Sequence, residues 1–106
     1  MSLLDEINEI DLDFDAVLAG KPVARLRFVA AGDVEERLRA GAFIYEMLKS
    51  IKDKIITMDP SNPETSVLAD RLIEVVTKLL VKVFDTSPEE IQKGVAEFAE
   101  EMKNAR

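Results

Sequence analysis

The chain contains no cysteine, no histidine and no tryptophan among its 106 residues. Without cysteine there are no disulfides, no thiolate zinc sites and no sulfur nucleophile. Such a composition fits a reducing cytoplasm. Without histidine, general acid–base work would fall to carboxylates, lysines or the single tyrosine, Tyr45. Glycine and proline are scarce, four of each, which favours long regular elements over loops. Apolar runs are only a few residues long, so no segment reads as membrane-spanning. The first 18 residues carry acids where a secretory signal needs positive charge.

Hydrophobic residues make up 47% of the chain and charged residues 33%, the balance of one folded domain. The net charge of −7 is unevenly placed. Residues 1–19 hold Asp5, Glu6, Glu9, Asp11, Asp13 and Asp15 and no base. From Lys21 to Lys54 there are eight bases against five acids. An overall acidic chain without interleaved aromatic and basic residues argues against nucleic acid as a partner.

Leu3, Ile7, Ile10, Phe14 and Val17 recur at steps of four and three, which would align them on one helical face. Asp11, Asp13 and Asp15 are poor interior helix residues, however. The reading they favour is an acidic arm over residues 1–12, then a single helical domain over 13–106. Asp13 would cap a short helix from Phe14 to Ala19, closed by Gly20. The arm could dock on the basic residues Arg25, Arg27, Arg37 and Arg39 of a neighbouring copy and so drive oligomerisation. Val23 to Val29 alternates in the manner of a half-buried strand, leaving room for one or two short strands near residues 23–29.

Three longer helices follow. Asp33 and Glu36 mark the start of the first, with Val34, Leu38, Tyr45, Leu48 and Ile55 as its core stripe and a stop near Met58. The segment Asp59-Pro60-Ser61-Asn62-Pro63 breaks the chain, and Thr65 or Ser66 opens the second, which runs to about Phe84. Its polar stripe is Asp70, Glu74, Lys78 and Lys82, and the rest of its circumference is apolar. Ser87-Pro88-Glu89-Glu90 combines a cap, a proline at the first helical position and a capping box for the last helix. That helix presents Ile91, Val95, Phe98 and Met102 on one face. The predicted fold is therefore mainly α: a small bundle of three main helices plus a short N-terminal one.

Few groups suggest chemistry. Asp11-x-Asp13-x-Asp15 begins like a calcium loop, but its sixth and twelfth positions are Ala16 and Pro22, where the loop needs glycine and glutamate. The pairs Glu35/Glu36 and Glu89/Glu90 sit in first helical turns, where the helix dipole accounts for them. No glycine-rich phosphate loop or nucleophile elbow is present. Neither catalysis nor a cofactor is expected. Phe28, Phe43, Tyr45, Phe84 and Phe98 read as core, and Phe14 as core or docking residue. Met47, Met58 and Met102 read as gap fillers. An apolar helical surface in excess of what one small bundle covers points to a protein partner and to self-association. The candidate contact residues are Phe14, Val17, Arg25, Arg27, Val76, Leu80, Phe84, Phe98 and Met102.

The stretch ADRLIEVVTKLLVKVFDTSPEEIQKGVAEF, Ala69 to Phe98, resembles the tail assembly chaperones of long-tailed bacteriophages and prophages. The likeness lies in an apolar helix ending in Val-Phe, an acidic turn, and Thr-Ser-Pro-Glu-Glu-Ile opening an amphipathic helix. It covers about a third of the chain. The resemblance implies a small, acidic, helical protein that coats a tape-measure protein in the host cytoplasm before the tail tube polymerises. In that family a longer form is often made by translational frameshifting, which one protein sequence does not reveal, and the family offers no catalytic residues. A structural subunit that stays in the finished particle, or a small regulatory adaptor unrelated to phages, would share these sequence features.

Overall fold

The computed structural model describes residues 2–23, 28–29 and 34–104. In chain order it comprises α1 (Leu3–Leu18), β1 (Pro22–Val23), β2 (Phe28–Val29), α2 (Val34–Ile56), α3 (Pro63–Lys82) and α4 (Pro88–Asn104). The fold is mainly α, as the periodicity predicts.

Residues 3–12 are not an arm; they form the greater part of α1. Ser2 caps the helix, its hydroxyl accepting from the Asp5 N–H at 3.2 Å. Asp5 and Glu6 then face the positive helix end. Asp13 lies inside the helix, whose N-cap is Ser2. The reason is one of magnitude. Each interior aspartate costs at most about 0.7 kcal/mol of helix propensity. Burying a large aliphatic side chain gains roughly 1.5–3 kcal/mol, and Ile7, Ile10, Phe14 and Val17 are all buried. Gly20 ends α1 as expected. At φ 71° it forms a left-handed cap, with Lys21 N–H donating to the Ala16 carbonyl at 2.8 Å and Gly20 N–H to Val17 at 3.1 Å.

The predicted strand over 23–29 is two short strands that pair with each other. Pro22 faces Val29 and Val23 faces Phe28, antiparallel. Arg25 and Arg27 lie outside the described residues.

The buried stripe of α2 is Ala40, Ile44, Leu48, Ile51 and Ile55. Leu48 and Ile55 belong to the predicted stripe, but Leu38 and Tyr45 are exposed, at 39% and 41%. The side chain of Val34 and its cap Asp33 lie outside the described residues. In α3 the helix starts earlier than the Thr65 or Ser66 expected. The Asn62 side chain accepts from the Glu64 N–H at 3.0 Å, and Pro63 takes the first turn. Proline there interrupts nothing, because first-turn N–H groups have no helical partner. Buried Thr65 instead donates its hydroxyl to the Asp59 carbonyl at 2.8 Å, fixing the α2–α3 turn. Leu68, Ala69, Leu72, Val75 and Leu79 complete the α3 stripe.

Helices α1, α2 and α3 pack on one another around this core. Charges tie α1 to α3. Asp11 accepts from Arg71 at 2.9 Å and from Lys78 at 3.0 Å, Asp15 also binds Lys78, and Asn8 accepts from Arg71 at 2.9 Å. The Lys78 ammonium stands 5.1 Å from the Phe14 ring centroid. The acidic residues Asp11 and Asp15 thus meet bases of their own chain on α3, not Arg37 and Arg39. Arg39 pairs with Glu35 and Glu36 of its own helix. Asp11 and Asp15 are held by cations in a helix, which also removes the calcium-loop reading. Among the described residues no acidic cluster could hold a metal ion.

Burial pushes the Asp11 carboxyl up, but Lys78 and Arg71 outweigh it and hold it below its ordinary value. Burial pushes Lys78 down, but hydrogen bonds to Asp15 and Asp11 hold it above its ordinary value. A depressed carboxylate contributes stability above its unfolded pKa and loses it as pH falls through the folded one. An elevated lysine contributes below its unfolded pKa and loses it as pH rises through the folded one. The clasp therefore works across the neutral range, weakens below the ordinary carboxylate value of 3.8 and weakens again above the ordinary lysine value of 10.5. Asp11→Ala is expected to cost about 1–3 kcal/mol at neutral pH. Urea denaturation should show that difference shrinking as the pH is taken towards 3, whereas a difference independent of pH would contradict the assignment.

Candidate functional site

Helix α4 is built from clear local signals. The Ser87 hydroxyl accepts from the Glu90 N–H at 3.3 Å, and the Ser87 carbonyl accepts from Ile91 at 3.1 Å. Its apolar residues Ile91, Val95 and Phe98 face α2 and α3 but are only half-buried. No described side chain of α4 is fully buried, in contrast to the other three helices. Among the described residues no helix is long and apolar enough to cross a membrane.

Beneath α4 runs a groove of about 200 Å³. Its floor is α3, through Ile73, Val76 and Leu80. One wall is α2, through Tyr45, Lys49 and Lys52, and the other is α4, through Val95, Phe98 and Glu101. The groove is apolar along its base and charged at its edges. Lys52 reaches Glu101 across it at 3.3 Å. The volume falls below the roughly 300–1,000 Å³ usual for small-molecule pockets. It suits one or two large apolar side chains with a charged group at the rim.

The groove exists because α2 and α3 each carry a second apolar face. On α2 this face is the Leu38/Tyr45 line, seven residues apart, which the sequence assigns to the core and of which Tyr45 lines the groove. On α3 it is Ile73, Val76 and Leu80. The two faces meet where Gly41 lies against Val83 and Phe84. A Cβ on Gly41 would sit 2.8 Å from a Val83 methyl and 3.3 Å from the Phe84 ring. The Val83 methyl sits on a short branched side chain, so something must shift. In Gly41→Ala the helix-propensity gain of about 1 kcal/mol works against overpacking of about 1–3 kcal/mol. A net loss near 1 kcal/mol is expected. Gly94→Ala, with open space around its Cβ, should gain up to about 1 kcal/mol. Denaturation midpoints of the two variants should therefore move in opposite directions.

The predicted contact residues divide. Val76, Leu80 and Phe98 come together in the groove. Phe84 is 36% exposed beside Gly41. Phe14 and Val17 are wholly buried in the three-helix core and cannot serve as surface contacts in this fold. Arg25, Arg27 and the side chain of Met102 lie outside the described residues. Phe43 and Tyr45, read as core, are 45% and 41% exposed. The side chain of Phe28 is outside the described residues. Tyr45, Ile73, Ile91 and Val95 line the groove without having been singled out as contacts. The signal for them was the width of the apolar faces, which exceeds one stripe per helix.

Comparison with models of known protein families, with curated proteins and with solved structures finds no match for this chain.

Proposed function

We propose that this chain acts by binding protein, as an assembly chaperone for a long helical partner. The observation that carries this reading is the apolar groove of α2 and α3, covered only by a helix that buries no side chain fully among its described residues. Helix-in-groove recognition uses this kind of surface, reading apolar residues at helical spacing on the partner. Leu38 and Phe84 add exposed apolar area on the second face of α2 and just past the end of α3. The accessible surface is 6638 Å², against roughly 5,900 Å² for a compact monomer of this mass. Its shape is a slab of 43 × 34 × 15 Å, which offers broad faces for its size. The net charge of −7 keeps such a protein dispersed.

The resemblance of residues 69–98 to phage tail assembly chaperones gives this reading a partner: a tape-measure protein, whose long apolar stripes need covering before the tube assembles. Function in the host cytoplasm, without catalysis or cofactor, belongs to the same proposal. Co-expression of the chain with a tape-measure-type protein tests it. A soluble complex of the two, with this chain missing from finished particles, is the expected result. A tape-measure protein equally insoluble with and without this chain would sink the proposal. Recovery of the chain from finished particles would make it a structural subunit instead.

A further inference from the structure

A helix is about 10–12 Å across with its side chains, so a groove of 200 Å³ cannot admit one while α4 stays in place. Any helix that reads the full α2–α3 face must replace α4. We propose that a second copy of this chain does so: two molecules exchange their α4 helices, each inserting its own into the groove of the other.

Three observations select that occupant. The first is chemical fit. Ile91, Val95 and Phe98 recur at steps of four and three and rest over Val76 and Leu80, while Glu101 meets Lys52. The groove is basic on its α2 wall, at Lys49 and Lys52, and Glu97 and Glu101 of α4 answer it. An acidic amphipathic helix with that spacing is what the face accepts, and α4 is one.

The second is detachability. Helices α1 to α3 bury Ile7, Phe14, Ile44, Leu48, Leu72 and Leu79 among themselves. Among the described side chains of α4, half-buried ones, with Phe98 against the core, and the Lys52–Glu101 pair hold it. Releasing it uncovers the edge of the core at Leu48 and Leu72, while Ile7, Phe14, Ile44 and Leu79, which do not line the groove, stay packed.

The third is the hinge. Only residues 83–87 join α3 to α4. Within them Asp85 is held at φ 50°, in the left-handed region that few residues besides glycine, asparagine and aspartate adopt. The turn is locked by the Thr86 N–H donating to the Leu80 carbonyl at 2.9 Å. Ser87 precedes proline and so favours extended backbone whether the hinge is folded or open. Opening the hinge releases Asp85 and retains every α4 contact in the exchanged form, the condition under which swapping comes at low cost.

The closed monomer has the advantage of an intramolecular partner, equivalent to millimolar concentration for a short link. Exchange therefore shows at high protein concentration. Its test contains no other protein, so its failure leaves the chaperone reading untouched, and the reverse holds.

Light scattering of the full chain from about 10 µM to about 1 mM should show a dimer whose fraction rises with concentration. In a mixture of isotope-labelled and unlabelled chains, NMR contacts between Val95 or Phe98 and Val76 or Leu80 should cross between molecules. Asp85→Gly, which relaxes the closed hinge, should lower the dimer fraction several-fold. A chain monomeric at about 1 mM, or a dimer whose α4–α3 contacts all stay within one molecule, overturns the proposal.

Discussion

Replacing Phe14 with alanine is expected to lower the stability of the chain by about 3–5 kcal/mol, the usual loss for a buried aromatic side chain. The side chain is wholly inaccessible and packs among Ile7, Ile10 and Val17 of its own helix and the core of α2 and α3. It also lies under the Lys78 ammonium, so its loss removes a cation–π contact. A domain of this size has roughly 5–15 kcal/mol in total. The variant should therefore melt roughly 15 °C or more below the parent chain, measurable by circular dichroism. Had α1 been a docking arm, the same change would have left the melting temperature nearly unmoved and weakened only association. A shift of less than about 3 °C would restore that reading.

How far the sequence could be read is clearest at this helix. The steps Leu3, Ile7, Ile10, Phe14 and Val17 already trace its buried face, and Gly20 already marks its end. What misleads is Asp11, Asp13 and Asp15, because propensity weighs each residue alone. The compensation for Asp11 comes from Arg71 and Lys78, sixty residues and more away, and no local pattern announces that pairing. Gly20, Ser87 and Pro88 are legible because caps and turns are local physics, complete within four or five residues. Leu38 and Tyr45 fail for a different reason. The apolar surface of α2 is wider than one stripe, and periodicity alone cannot say which edge meets the core. The structure assigns Ile44 and Ile51 to the core and leaves Tyr45 to the groove. The site was thus half-visible: Val76, Leu80 and Phe98 follow from an α3 too apolar for one interface, whereas the α2 wall depends on how the helices turn against each other.

Leu80→Glu is expected to separate binding from folding. Leu80 is half-buried on the floor of the groove, so a carboxylate there can still reach solvent, and glutamate is as good a helix former as leucine. Its cost to the fold should stay within about 1–2 kcal/mol. Its cost to a bound partner is larger, because an apolar anchor seated on the floor would face an unpaired charge once water is excluded. Central interface residues of this kind lose about 2 kcal/mol or more when disrupted, roughly a thirty-fold fall in affinity. The matched control is Val81→Glu, one residue on, 46% exposed and outside the groove. Co-purification with the helical partner should fail for Leu80→Glu and persist for Val81→Glu, while both variants keep the helical circular dichroism of the parent. Equal retention of the partner by both variants would remove the groove as the binding surface. Equal loss by both would move that surface to the end of α3 and the turn after it, where Val81 and Phe84 lie exposed.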